Sequence, residues 1–427
     1  MSRLAIMGGE PLHTGGWPTW PPKEPGYAEA LMEVLDSGFW GVGGLMNKRL
    51  QKRFRQVSGT RYVVPNTSGT VALELCLRAL GIGCGDEVIV PPYTFIATAS
   101  AVMSVNGIPV FADIDPETLC IDPNAVEEAV TPQTRAVIAV HIGGMPADMD
   151  ALQALCDRHG LDLIEDCAQA HGAVHNGRKV GSIGDCGAFS FQSSKNITAG
   201  EGGIVTTNDE VLFLNTWSYT NIGRVPGGGW YDHHSMGTNY RMTEFQAALI
   251  LRGIDTYAEQ MNLREQNAAY LSERLSEIDG IKPQAYSPGA ERSAYHLFIF
   301  RYDRASFSGL PRDLLVKALA AEGIPVCNGN NPLYRQGLLA SRASSEILPC
   351  GEETHGSVRY ECVRCPVAEH VCTDGSFWMV QEALLGTRQN MDDVVDAIVR
   401  VSEGVGELLT IYEPAHYDGE CRPCTYE

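Results

Sequence analysis

Short apolar segments alternate with helical patterns through the first 250 residues of the chain. The segments have the length of buried strands, and "LCIDPNAVEEAV" and "DMDALQALCDRHG" between them repeat apolar residues at helical spacing. Strands that alternate with helices pair in parallel and carry helices on both faces of the sheet. The pattern therefore predicts an α/β fold with a mostly parallel, doubly wound sheet in a large domain over residues 20–250. The predicted strands lie in "DEVIVPPY", "IPVFADID", "AVIAVHIGG", "LDLIEDCA", "GAFSFQ" and "GGIVTTN".

The pattern changes after residue 242. The segment "TEFQAALILRGIDTYAEQMNLREQNAAYLSERLSEI" mixes an apolar stripe with charges, as a helix that links two domains does. Strand and helix patterns follow in "SAYHLFIFRYD", "RDLLVKALAAEGIPV" and "DDVVDAIVRVSEGVGELL". We expect a smaller α+β C-terminal domain with its linking helix over residues 251–410. An N-terminal arm over residues 1–19 and a polar tail over residues 411–427 complete the expected division.

Charge and hydropathy exclude several classes of partner. The 427 residues carry a formal net charge of −20, which repels phosphate backbones and anionic membranes. The sequence contains neither an apolar run long enough for a membrane helix nor a complete signal-peptide core. We therefore expect a cytoplasmic protein whose partners are small molecules or another protein chain.

The cysteines suit reduced thiols in apolar elements. There are 13 of them, an odd number, in segments such as "LELCLRAL" and "IEDCAQ". Cys362 with Cys365 and Cys421 with Cys424 form two C-x-x-C pairs, which together have the ligand count of a structural zinc site. The pairs lie far apart in sequence and the second is in the polar tail, so we expect no metal.

Hydroxyl groups open one of the predicted helices. In "PNTSGTVALELCLRAL", residues Thr67, Ser68, Gly69 and Thr70 follow a polar turn and precede the helical pattern. Free backbone N–H groups and the positive end of the helix dipole favour an anion at such a position, most commonly phosphate. Ordinary N-capping by Ser or Thr explains the same pattern.

Acidic residues and a lysine follow neighbouring strands. The strand in "LDLIEDCAQAHG" delivers Glu165, Asp166, Gln169 and His171, and a buried acid there requires a cation or a hydrogen-bond donor. One of only seven lysines, Lys195, lies in the turn "QSSKNITAGEGG" with no acid beside it. The aromatic Phe95 lies in "PPYTFIAT". Phosphate cradle, buried acid, aromatic plate and loop lysine together are the parts needed to bind pyridoxal 5′-phosphate.

These motifs, in this order, resemble the sugar aminotransferases of the DegT/StrS family. The resemblance also covers "ADIDPETLCIDP", "VHIGGMPADMD" and "GTNYRMTEFQAAL", and it implies the pyridoxal-phosphate-dependent fold type I. It implies that Lys195 forms the Schiff base and that Asp166 binds the pyridinium nitrogen. In the family, Gln169 would contact the ring oxygen side and Phe95 would stack on the ring. Ser68, Gly69 and Ser190 would bind the phosphate, and Asn239 would complete that site from the other subunit of a homodimer.

The residues before the lysine narrow the resemblance. Many family members have a His-Pro pair there, whereas this chain has "FSFQSSK", which resembles the branch acting on cyclitols, including the scyllo-inosose aminotransferases of aminoglycoside biosynthesis. We therefore expect amino transfer from L-glutamine or L-glutamate to a keto-cyclitol such as scyllo-inosose or 2-deoxy-scyllo-inosose. The alternatives are a dehydratase resembling 3-amino-5-hydroxybenzoate synthase, a nucleotide keto-sugar aminotransferase, a lyase that retains the lysine, and a non-enzymatic binding module.

Overall fold

The computed structural model describes residues 3–23, 26–340 and 360–410. Strands and helices alternate along most of this chain, as the sequence predicts. The strands are β1 Tyr62–Asn66, β2 Glu87–Val90, β3 Ile108–Phe111, β4 Thr134–Val140, β5 Asp162–Asp166, β6 Val174–His175, β7 Arg178–Lys179, β8 Cys186–Ser190, β9 Gly203–Thr207, β10 Ile281–Pro283, β11 Ala290–Arg292, β12 Leu297–Tyr302, β13 Val326–Asn328 and β14 Ser376–Val380. The helices are α1 Tyr27–Ser37, α2 Met46–Ser58, α3 Gly69–Ala79, α4 Ala97–Ser104, α5 Pro123–Ala129, α6 Met149–His159, α7 Glu210–Thr220, α8 Glu244–Leu275, α9 Arg312–Ala321, α10 Gly337–Ala340, α11 Pro366–His370, α12 Arg388–Glu403 and α13 Val405–Thr410.

The larger sheet has seven strands in the order β1-β9-β8-β5-β4-β2-β3. Neighbours from β8 to β3 pair in parallel, and β9 runs antiparallel to both β8 and β1. The mostly parallel sheet and all six predicted strand segments are confirmed. The parallel arrangement does not extend to β9, because the chain returns from β8 through a turn that contains Lys195 and no helix.

Strand β1 was not predicted. The sequence analysis placed a polar turn before Ser68, whereas the chain forms an edge strand through Asn66 that includes Pro65. Proline has no N–H group to donate, so it is tolerated on an edge strand. Two residues separate the end of this strand from the start of α3, and the strand brings Ser68 to the carboxyl edge of the sheet.

The long helical run forms α8, a helix of 32 residues. It begins at a capping box in which Thr243 Oγ1 accepts a hydrogen bond from Gln246 N, and the Gln246 side chain accepts one from Thr243 N. Beyond it, a second, antiparallel sheet has the order β10-β12-β14-β13. The predicted domain boundaries stay a prediction.

The N-terminal segment is fixed to helices that pack on the second sheet. The buried carboxylate of Glu322 accepts hydrogen bonds from Ala5 N at 2.9 Å and Leu12 N at 3.0 Å, and it pairs with Arg400 Nη1 at 2.7 Å. In addition, His13 N donates to the Glu322 carbonyl at 2.9 Å. One buried acid therefore anchors the start of the chain.

Within the described ranges, no helix combines the length and apolarity needed to cross a bilayer. Of the two C-x-x-C pairs, Cys365 is buried and Cys362 is exposed, while Cys421 and Cys424 lie outside the described residues.

Candidate active site

Asp166 is the last residue of β5 and lies buried at the carboxyl edge of the larger sheet. Its Oδ2 accepts a hydrogen bond from Thr98 Oγ1 at 2.9 Å, and its Oδ1 accepts one from Ala168 N at 3.2 Å. Burial raises the pKa of the Asp166 carboxyl, and these two hydrogen bonds and the Lys195 charge oppose that rise. A cationic group placed against Asp166 would stabilise its charged form.

Lys195 lies in the turn between β8 and β9, as the sequence predicts. Lys195 N donates to the Gln192 carbonyl at 2.9 Å, which closes the turn. Burial lowers the pKa of the Lys195 amine from 10.5 to about 8, and the Asp166 charge partly opposes this. No carboxylate in the described part of the chain lies within ion-pair distance of the amine, and a pKa of about 8 leaves roughly a tenth of the amine neutral at pH 7.

Ser68, Gly69 and Ser190 come together at the N-terminus of α3. Ser68 caps the helix by accepting a hydrogen bond from Val71 N at 3.2 Å, so the N-capping interpretation also holds. A Cβ atom on Gly69 would lie 2.6 Å from Ser190 Cβ and 3.0 Å from Ser190 Oγ. Only glycine lets the helix approach β8 this closely, and this approach places the Ser190 hydroxyl group near the backbone N–H groups at the start of the helix. This donor set fits a phosphate group.

The other predicted site residues do not share one set of contacts. Gln169 Oε1 accepts a hydrogen bond from Gly143 N at 2.7 Å. Phe95 is 65% exposed, and its carbonyl accepts a hydrogen bond from Thr98 N at 3.1 Å, which links it to the Asp166 partner. Thr70 is exposed although it follows Gly69 directly. Asn239 is also exposed and forms an isolated antiparallel bridge with Asn221.

Glu165 is completely buried beside Asp166 but already has hydrogen-bond partners. Its carboxylate accepts from Gly181 N, Ile183 N and Gly184 N at 2.7–2.8 Å, and from His141 Nε2 at 3.2 Å. His141 Nδ1 accepts from Ala147 N at 3.0 Å, so Nε2 carries the proton. Cys167 lies next to these two side chains, but the described geometry is that of a saturated hydrogen-bond network.

Sequence reasoning missed Thr98, the hydroxyl partner of Asp166, because nothing in "PPYTFIATASAV" indicates which side chain faces another strand. It also missed Gly203, where a Cβ would lie 2.2 Å from the Ser68 carbonyl oxygen. The glycine pair in "GEGG" was the available signal for this close approach.

The comparisons with known proteins agree with this geometry. The sequence profile of the DegT/DnrJ/EryC1/StrS aminotransferase family matches residues 24–398. The chain belongs to this family. It is 41% identical to an L-glutamine:2-deoxy-scyllo-inosose aminotransferase of Streptoalloteichus tenebrarius, with 95% of this chain and 99% of that protein covered. It is 39% identical to a Micromonospora echinospora protein provisionally named L-glutamine:3-amino-2,3-dideoxy-scyllo-inosose aminotransferase, with 95% and 98% covered.

Solved structures show the same fold. The structure of 3-amino-5-hydroxybenzoic acid synthase superposes with a TM-score of 0.83 at 30% identity, covering 93% of this chain and all of that one. DesV from S. venezuelae superposes with a TM-score of 0.77 at 34% identity, covering 88% of this chain and 94% of that one. The predicted family, the fold type and aminotransferase chemistry are confirmed.

Proposed function

We propose that this aminotransferase uses pyridoxal 5′-phosphate to move an amino group from L-glutamine to the ketone of a cyclitol, in aminocyclitol and aminoglycoside biosynthesis. The observation that carries the proposal is the partly buried Lys195, whose amine has a pKa lowered to about 8 and lies within reach of the charge of the buried Asp166 carboxylate. The acceptor we favour is 2-deoxy-scyllo-inosose, because the full-length relative with 41% identity is named for it. The cytoplasmic location expected from the sequence stays a prediction.

The residues at the carboxyl edge of the sheet fit this cofactor. The donors of Ser68, Gly69 and Ser190 would hold the phosphate, with exposed Thr70 next to them in the chain. Asp166 has accepting capacity left for a protonated ring nitrogen, since it receives two hydrogen bonds. We assign Gln169 to the ring oxygen side and exposed Phe95 to the ring face.

Pyridoxal phosphate would supply an aldehyde that links to amines and a ring that withdraws electrons. The chain's own part is to hold that ring and to move protons. Asp166 keeps the ring nitrogen protonated, which maintains electron withdrawal. Lys195 Nζ, once free, would carry a proton from the donor α-carbon to C4′ of the cofactor, and in the second half-reaction from C4′ to the acceptor carbon. Its lowered pKa makes both directions accessible near neutral pH.

We further propose a homodimer in which Asn239 completes the phosphate site of the partner subunit. Exposed apolar side chains between α1 and α2 support a contact surface: Phe39, Trp40, Val42 and Leu45 are all more than half exposed. A phosphate with nearly two negative charges also needs more donors than Ser68, Ser190 and one helix N-terminus supply.

The dimer proposal is tested by mixing two inactive variants. If Asn239 crosses the interface, Lys195→Ala and Asn239→Ala fall in the same site of a mixed dimer, so one site carries both lesions and the other is intact. Random reassociation should restore roughly a quarter of wild-type activity. Asn239→Ala is first shown to be impaired alone. Absence of recovery despite demonstrated subunit exchange would place Asn239 in its own chain's site.

The reaction is tested in two halves. L-Glutamine added to the cofactor-loaded protein should change the cofactor's visible absorbance, and adding 2-deoxy-scyllo-inosose should restore it. Borohydride reduction and peptide mapping should label Lys195, whereas a label on Lys179 or Lys317 would refute its role. L-Glutamate in place of L-glutamine identifies the donor.

A panel of acceptors separates the alternatives. Scyllo-inosose tests the neighbouring cyclitol, and thymidine diphosphate keto-sugars test the nucleotide-sugar alternative. The structural likeness to 3-amino-5-hydroxybenzoic acid synthase favours a second candidate, dehydration to an aromatic product. Formation of an aromatic amine without a glutamine half-reaction would replace our proposal with that one.

A further inference from the structure

Two buried side chains tie the Lys195 turn to the segment that precedes β12. Asn196 is 2% exposed, and its Nδ2 donates to the Ala294 carbonyl at 2.7 Å. Its Oδ1 lies 3.0 Å from His296 Nδ1. Because the amide nitrogen faces a carbonyl, the amide oxygen must accept the second hydrogen bond, and His296 Nδ1 must carry the proton.

The same segment is also connected to Gln169, another predicted site residue. Ala294 N donates to the Gly144 carbonyl at 2.9 Å, and the adjacent Gly143 N donates to Gln169 Oε1 at 2.7 Å. A continuous set of contacts therefore runs from the turn of Lys195, through Asn196 and Ala294, to Gln169.

The backbone of this segment has an unusual conformation. Tyr295, between Ala294 and His296, has a φ of +47°, which is in the left-handed region that side chains other than glycine rarely adopt. Its hydroxyl lies 2.9 Å from the Tyr286 hydroxyl, and its N–H donates to Ser293 Oγ at 3.2 Å. Such conformations persist where the surroundings impose them, and they concentrate at functional sites. Both residues that flank Tyr295 contact Asn196.

The charges around Lys195 indicate how the hydrogen bonds of Asn196 act. Burial lowers the pKa of His171 to about 3 and that of His296 well below its usual range, so both rings are neutral at neutral pH. Asp166 is the acid whose charge raises the pKa of Lys195. The charge of buried Arg264 lowers the pKa of both histidines. Replacing His296 therefore removes a hydrogen bond and leaves the charge balance unchanged.

We infer that Asn196 and His296 are positioning residues that hold the Lys195 turn against the Gln169 side of the site and keep the amine beside Asp166. This inference rests on the proposed function, in which Lys195 carries the cofactor. Neither residue contacts the reacting atoms in this assignment. They act through the backbone of the turn, because Asn196 is the residue that follows Lys195 in the chain.

Four variants test the inference. Asn196→Ala removes both hydrogen bonds, and His296→Leu removes one. His296→Asn retains an N–H donor near the position of Nδ1, so it should act as the conservative rescue. His13→Leu is the matched control, because His13 is also a buried histidine whose Nδ1 has a partner, Asp393 at 2.8 Å, but it lies in the N-terminal segment.

The first measurement uses cofactor-free protein. Competitive labelling with acetic anhydride across pH, read by mass spectrometry with exposed Lys282 as the internal reference, reports the protonation of Lys195. The wild-type midpoint should lie at about 8. Asn196→Ala and His296→Leu should raise it by about one unit, because a displaced amine becomes solvated. His296→Asn and His13→Leu should leave it unchanged.

The second measurement is steady-state turnover. Asn196→Ala and His296→Leu should lower kcat by about 10- to 100-fold with little change in KM, as expected for a misplaced reacting group. If Asn196→Ala and His296→Leu both kept the wild-type labelling midpoint of Lys195 and the wild-type kcat, the inference would be overturned. Equal losses in His296→Asn and His296→Leu would also overturn it, because they would indicate a general packing role. If Asn196→Ala does not fold, the comparison of His296→Leu with His296→Asn tests the inference by itself.

The labelling experiment also separates this inference from the proposed function. It uses neither donor nor acceptor, so a wild-type protein that gives no glutamine half-reaction would refute the function while leaving the labelling shift interpretable. If the wild-type protein transaminates normally but the Asn196→Ala and His296→Leu variants keep its Lys195 midpoint, only the positioning role is refuted.

Discussion

Replacing Gly69 by alanine tests whether the start of α3 binds phosphate. The new Cβ would lie 2.6 Å from Ser190 Cβ, whereas ordinary contacts begin at 3.4 Å, so α3 or β8 must move by 0.8 Å. A shift of this size breaks one hydrogen bond to a charged phosphate, which is worth about 1.5–3 kcal/mol. We therefore expect the Kd for pyridoxal phosphate to rise about 10- to 100-fold.

The assay is an absorbance titration of cofactor-free protein with pyridoxal phosphate and, separately, with pyridoxal, which lacks the phosphate. Gly69→Ala should weaken pyridoxal phosphate binding and leave pyridoxal binding nearly unchanged. Gly83→Ala is the control, since a Cβ there meets no atom within 4 Å. Unchanged pyridoxal phosphate affinity in folded Gly69→Ala would refute the phosphate assignment, and an equal loss for both ligands would indicate a general distortion.

Three further changes have expected outcomes. Asp166→Asn should fold normally and lower kcat by about 100-fold or more, because the amide removes the charge beside the ring nitrogen; steady-state assays check this. The rate of cofactor loading should rise about tenfold per pH unit up to a pH of about 8 and then level off, as expected for attack by neutral Lys195 with its lowered pKa; stopped-flow absorbance measures this. Glu322→Gln should reduce the free energy of unfolding by about 3–5 kcal/mol, measured by urea denaturation, because Arg400 loses its buried partner.

The sequence predicted the parts of the fold that local pattern determines. Strand β4 is a nearly continuous apolar run, and six of its seven residues are buried, as expected for a central parallel strand. The direction of β9 was not predictable from its own residues. It depends on the turn around Lys195, which is held by side-chain and backbone contacts, including the one from Asn196 to Ala294 about 100 positions later.

Candidate site residues were predictable where their chemistry is unusual for their position. Lys195 was conspicuous because a lysine in a small-residue turn has no acid beside it. Thr98 and His296 were not conspicuous, since each acts through a contact with a distant segment, Asp166 for the first and Asn196 for the second. The role of Asn239 involves a second chain, so neither the sequence pattern nor a single chain can test it.

The two adjacent acids at the end of β5 show why structure is needed to assign a role. Successive side chains of a strand point to opposite faces of the sheet, so Glu165 and Asp166 face different surroundings despite equal chemistry in the sequence. A carboxylate accepts about four hydrogen bonds, and Glu165 receives four from three backbone N–H groups and His141. Asp166 receives two. Of these two acids, only Asp166 therefore has the capacity to bind a further cationic donor, and this difference supports our proposal that Asp166, rather than Glu165, binds the ring nitrogen of the cofactor.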